Sequence, residues 1–88
     1  MAWDVRLSDE AIAAFKGLPG KTANQVGRAI DALAEDPFRG DVKSLKGKEW
    51  EGRFRKRSGD YRIIFRLNHE KKRVLISAIM RRSETTYR

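Results

Sequence analysis

The chain has 88 residues, 40% hydrophobic and 36% charged, with no cysteine, one histidine and a net charge of +8. That length suits one domain, 1–88, with a modest core, and the composition excludes a disulfide scaffold, a thiolate metal or iron–sulfur site, a thiol nucleophile and a multi-histidine metal centre. The apolar runs are too short to span a membrane and no secretory pattern opens the sequence, so a cytoplasmic protein is expected.

Trp3-Asp4-Val5-Arg6-Leu7 alternates apolar and polar residues, the pattern of a half-buried strand. Ser8, followed by Asp9 and Glu10, marks a helix start: serine caps free amide groups, and acids suit the positive end of the helix dipole. Ile12, Phe15 and Leu18, with Ala11 and Ala14, predict one apolar helical face. Pro19-Gly20 breaks that helix. A second helix begins near Lys21 or Thr22. Its buried stripe is Val26, Ile30 and Leu33, helped by Ala23 and Ala29, while Asn24, Gln25, Arg28, Asp31 and Glu35 face water. Asp36-Pro37 ends it, because proline disfavours a helical residue before it. The short Pro-Gly link predicts an antiparallel helical hairpin.

Residues 38–50 form a connection, with a short extended piece over 42–45. From Glu51 the period changes to two. Residues 53–57 make one strand, Ser58-Gly59-Asp60 a turn, 61–67 the next strand, 68–71 a second turn, and 73–80 the last strand. The last is the most apolar and is expected inside the sheet. The order is β-α-α-β-β-β, an α+β fold in which an antiparallel meander sheet packs on an N-terminal helical hairpin. The helices cover one sheet face and leave the other partly open.

Charge is segregated along the chain. Residues 1–40 hold five Lys/Arg against six Asp/Glu, whereas residues 41–88 hold fifteen against six. Such a C-terminal half is suited to a polyanion, and nucleic acid is the obvious one. Alternation puts Arg53, Arg55 and Arg57 on one side of their strand and Phe54 on the other. Arg62, Ile64 and Arg66 share a face of the next strand; Ser77, Ile79 and Arg81 share one on the last. If the arginine-bearing sides coincide, Arg53, Arg55, Arg62 and Arg81 converge on the open surface. Phosphate would relieve their repulsion, and guanidinium forks fit its oxygens. A solvated arginine face paired with local acids is the alternative, although Glu49, Glu51, Asp60 and Glu84 are too few to neutralise it.

Five stretches carry a resemblance: Lys43-Ser44-Leu45-Lys46-Gly47, Gly52-Arg53-Phe54-Arg55, Ser58-Gly59-Asp60-Tyr61-Arg62-Ile63-Ile64-Phe65, Ile76 through Ser83, and Tyr87. In these the chain resembles the RelE/ParE superfamily of bacterial and archaeal toxin–antitoxin toxins. The resemblance implies the RelE-like microbial RNase fold and a cognate antitoxin. RelE-like members cleave mRNA in the ribosomal A site. ParE-like members block DNA gyrase and lack the nuclease residues.

Carried over by position, the RelE-like pattern implies catalytic roles for Arg53, Arg55, Arg62, Arg81 and Tyr87. Lys43, Lys46, Lys48, Arg57 and Arg82 are the RNA-binding cations it implies. The chain departs from the pattern in having arginines where lysines are common at 53 and 55. It also lacks the C-terminal histidine or pre-strand glutamate of some relatives: His69 sits in a turn, and the pre-strand position is Lys43. Arginine stays protonated and is a poor base. One of Lys43, Lys46 or Lys48 could serve only with a lowered pKa.

The favoured reading is therefore a metal- and cofactor-free endoribonuclease acting on mRNA bound to the 70S ribosome. A ParE-like gyrase inhibitor and a non-toxic basic nucleic-acid-binding module are the alternatives. Tyr87 is expected to stack on a base or to pack on the sheet. Trp3 and Trp50 read as packing residues, His69 as a solvated turn residue, and Asp60 as a turn residue near Arg57 and Arg62.

Overall fold

A computed structural model describes residues 3–48 and 51–81. In chain order they form β1 (Asp4–Leu7), α1 (Asp9–Lys16), α2 (Gly20–Glu35), β2 (Val42–Ser44), β3 (Arg53–Ser58), β4 (Tyr61–Asn68) and β5 (Arg73–Arg81). The five strands make one mixed sheet in the order β1-β5-β4-β3-β2. The meander β3-β4-β5 is antiparallel as expected, and β1 joins the outer edge of β5 in parallel. The extended piece after the helices is β2, antiparallel to β3.

Ser8 caps α1: its Oγ accepts from the Ala11 N–H at 3.1 Å and donates to the Ser77 carbonyl at 3.1 Å. One hydroxyl thus starts the helix and ties it to β5. The helix α2 follows Pro19 directly and ends at Asp36, whose Oδ1 accepts from the Phe38 N–H at 3.0 Å. The Phe15 ring of α1 lies against Gly27 of α2, where an added Cβ would stand 3.8 Å from Cζ. Ala11, Val26 and Leu33 from the helices meet Ile63, Phe65, Val74, Ile76 and Ile79 from the sheet in one buried cluster. Removing these side chains from water is the main force joining the two layers.

Two expectations change. Ile12 is 38% exposed and is not on the buried face of α1, which turns Ala11 into the core. The second concerns β5, where Ile76 and Ile79 are both buried although three residues apart. Strict alternation forbids this. The register shifts between Ile64 and Phe65: Ile64 opposes Ala78, and Phe65 opposes Ile76, so Ser77 is the extra residue of a bulge. Beyond the bulge the faces exchange. Arg81 opposes Tyr61 and follows Ile79 to the helix side. It does not join Arg53, Arg55 and Arg62 on the open face.

Candidate nucleic-acid interface

Residues directly opposed across antiparallel strands share a sheet face. The registers therefore lay the open face out in rows. Arg57 opposes Arg62, which opposes Met80. Lys43 opposes Arg55, then Ile64, then Ala78. Arg53 opposes Arg66, then Leu75, and Arg6 of β1 completes that row. Arg53, Arg55, Arg57 and Arg62 are thus brought together as the sequence suggests, and Lys43 joins them. The adjoining Arg66 and Arg6 extend the set.

Arg62 is the unusual member. It is only 6% exposed, and its buried Nη1 has no hydrogen-bond partner. An unpaired donor of this kind is destabilising by about 1–3 kcal/mol, and an anionic oxygen would satisfy it. Below it, Ile64 is fully buried on the face opposite the main core.

Asp41 organises the neighbouring cations and was not evident from the sequence. Its Oδ1 accepts from Arg55 Nη1 at 3.2 Å, and its Oδ2 lies 3.5 Å from Arg57 Nε. Its backbone carbonyl accepts from the Arg57 N–H at 3.0 Å. The hydrogen bond from Arg55, then the charges of Arg55, Arg57 and Lys43, hold the Asp41 carboxyl below the ordinary aspartate value against an opposing effect of desolvation. Arg57 thus takes its carboxylate from Asp41, two strands away in the chain from the Asp60 turn. The sequence signal for Asp41 is faint: an acid two residues before Lys43, just ahead of the strand that pairs with β3.

A second unforeseen residue lies on the other face. Lys56 is buried, opposes Ile63, and donates from Nζ to the Arg39 carbonyl at 2.9 Å. Burial, reinforced by the nearby Arg39 charge, pushes its pKa below the usual lysine value, with Asp36 and Asp41 opposing. Of Lys46 and Lys48, the latter borders an open groove of about 620 Å³ lined also by Leu45, Glu51, Arg53 and Phe54. His69 is exposed but its ring meets Trp3 edge-on at 5.8 Å, so it packs. Arg82 and Tyr87, like Glu49, Trp50 and Glu84, lie outside the described residues. Among the described residues no helix is long and apolar enough to cross a membrane.

The arrangement offers several guanidinium groups, one of them desolvated and incompletely satisfied, with Asp41 and Asp4 as the carboxylates that hold Arg55, Arg57, Arg6 and Arg73. Preorganised donors of this kind bind phosphate and stabilise charge that develops on it.

Comparison with known proteins agrees with this architecture. A chain of the toxin–antitoxin complex RelBE2 from Mycobacterium tuberculosis superposes with a TM-score of 0.82 at 26% identity, covering 93% of this chain and all of the other. The RelE–RelB complex from Pyrococcus horikoshii matches at 0.78 and 26% identity, over 97% of this chain and 100% of its own. The isolated Escherichia coli RelE toxin shares the fold at a TM-score of 0.76 and 14% identity, over 96% of this chain and 88% of its own. No significant match was found among curated proteins. The model of the ParE toxin of the type II toxin–antitoxin system parDE matches residues 5–86. Spanning nearly the whole chain, that match places the protein in the ParE toxin family, within the RelE/ParE superfamily of type II toxins.

Proposed function

We propose that this toxin is a metal-independent endoribonuclease that cuts mRNA on the 70S ribosome and so stops translation in the cytoplasm. The observation that supports it most is Arg62: a buried guanidinium whose Nη1 has no hydrogen-bond partner, set in a row with Arg57 and beside the Asp41-held Arg55. In this reading the RNA's own 2′-hydroxyl attacks the adjacent phosphorus. The 2′-oxygen loses its proton, the P–O5′ bond breaks, and the 5′-oxygen takes up a proton. The products are a 2′,3′-cyclic phosphate and a 5′-hydroxyl. Arg62 and Arg55 stabilise the pentavalent phosphorane, in which negative charge peaks. Orientation by the ribosome supplies the alignment. Lys56, although burial lowers its pKa, lies on the helix side away from this phosphate and does not serve as the base.

The toxin's partner is a cognate antitoxin, in keeping with the relatives found as toxin–antitoxin complexes. An antitoxin segment with acidic and apolar side chains would suit the basic face and the helix pair. A second reading, inhibition of DNA gyrase, is favoured by one observation: the matching family model is that of ParE. Mapping mRNA 5′ ends after expression separates the two. Codon-phased cuts with cyclic or 3′-phosphate upstream ends support the nuclease. Intact mRNA with an SOS response supports gyrase, and 3′-hydroxyl ends would refute the mechanism.

A further inference from the structure

The row Arg6–Leu75–Arg66–Arg53 lies on the same open face as Arg62 but away from it. Arg62 and Arg66 are four residues apart on β4, about 13 Å at the rise of a strand. That spacing leaves room for each to hold a phosphate of its own. Arg73 adjoins the row, because Asp4 binds Arg6 Nε at 3.0 Å and Arg73 Nε at 3.2 Å through the same Oδ2. Both contacts use Nε, so Asp4 aligns the two forks without engaging their terminal nitrogens. Asp4 is thus shared by two arginines, Arg6 and Arg73, and Arg66 stands exposed beside them. Leu75 between Arg6 and Arg66 is 38% exposed, an apolar step in a cationic strip.

We propose that this strip, centred on Arg66 and Arg6, is a second RNA-binding site, contacting backbone phosphates at a nucleotide distant from the one held at Arg62. It rests on the RNA-directed reading above. Cations fix the phosphates, and the Leu75 side chain gives a base or sugar an apolar surface without reading sequence. The strip therefore adds affinity and register to the strand while Arg62 acts on the phosphate to be cut. The phosphates could belong to the mRNA strand or to ribosomal RNA, and the same chemistry serves both.

The test compares the salt dependence of binding for the intact toxin, the Arg6→Gln/Arg66→Gln double variant and Arg28→Gln. Arg28 is an exposed cation on α2, outside the strip. Two probes are used: a single-stranded RNA oligonucleotide and vacant 70S ribosomes. Each lost phosphate contact lowers the slope of log K against log salt by about 0.7, so the double variant should lose about 1.4 on the oligonucleotide. Arg28→Gln should keep the original slope. A loss seen only with ribosomes assigns the contacted phosphates to ribosomal RNA. Unchanged slopes with both probes, or an equal loss in Arg28→Gln, would overturn the proposal. Parallel cleavage assays keep the two ideas apart: cutting with unchanged slopes removes the strip alone, whereas slope loss without any cutting by the intact toxin removes the nuclease alone. No RNA binding at all by the intact toxin removes both.

Discussion

Asp41 and Arg55 are joined across β2 and β3 by a 3.2 Å charged hydrogen bond, and the same carboxylate reaches Arg57 at 3.5 Å. One acid thereby sets the spacing of two cations that would otherwise repel. The loop that carries Asp41 is itself pinned. Lys56 Nζ donates to the Arg39 carbonyl, and Gly40 turns at φ +84°, with Lys56 Nζ 3.2 Å from where its Cβ would stand. The chain from buried lysine to loop to carboxylate to arginine links the core with the open face.

Asp41→Ala should therefore lower turnover on ribosome-bound mRNA by about tenfold through loss of arginine alignment. Asp41→Asn, which retains one acceptor, should lose less. Asp41 is exposed, but the Arg55 side chain is only 11% exposed, so loss of its carboxylate should also lower the melting temperature. Unchanged turnover in Asp41→Ala would show that Arg55 and Arg57 need no carboxylate to hold them.

Gly59 makes a structural prediction. It turns at φ +58°, and a Cβ there would lie 2.8 Å and 2.9 Å from the Gln25 side-chain amide. The left-handed backbone alone makes Gly59→Ala destabilising by about 1–2 kcal/mol. Gln25 is a flexible side chain that can give way, so Gly59→Ala/Gln25→Ala should recover only a minor part of the loss. Chemical denaturation of the single and double variants measures the split. Full recovery in the double variant would place the cost in the Gln25 contact.

The elements were legible because each carries a local mark: Ser8 before two acids, Pro19-Gly20, Asp36-Pro37, and the change of period at Glu51. Alternation correctly grouped Arg53, Arg55 and Arg57 with Arg62, because β3 and β4 pair without a shift. It failed for Arg81, because the Ser77 bulge adds one residue between two in-phase runs. Ile76 and Ile79 three apart in one strand are the trace it leaves. Asp41 was hidden for another reason. Its partners lie fourteen and sixteen positions away, and only the β2–β3 register brings them within reach.

Lys56 predicts a pH effect. Its folded pKa lies below the usual 10.5, so between those two values the unfolded chain binds more protons than the folded one. Stability contributed by this group therefore rises with pH across that window, and the cost of burying the charge is largest below it. Lys56→Met removes the charge. Relative to the original protein, the variant should be most favoured near neutral pH and lose that advantage as pH climbs toward 10.5. Melting curves at pH 7 and pH 10 give the comparison. A stability difference that stays constant between the two, or one that grows in favour of methionine, would contradict the assignment.

Arg62 and Arg81 should separate cleanly. Arg62 opposes Met80 and Arg57 on the open face, whereas Arg81 opposes Tyr61 on the helix side. On the nuclease reading, Arg62→Ala removes a donor aimed where charge develops and should lower the cleavage rate by about a hundred- to a thousandfold. Arg81→Ala should lower it by less than about tenfold, since Arg81 lies across the sheet and acts only indirectly. Arg62→Met adds a second readout. It replaces a buried guanidinium with an unpartnered Nη1 by an apolar side chain of similar reach, so it should raise folding stability by about 1–3 kcal/mol while abolishing most activity. Stability gained with activity lost would mark Arg62 as a group held ready for an anion. A destabilised Arg62→Met protein would mean that the guanidinium supports the fold. Equal losses from Arg62→Ala and Arg81→Ala would mean that the reacting phosphate is reached from both sides of β5.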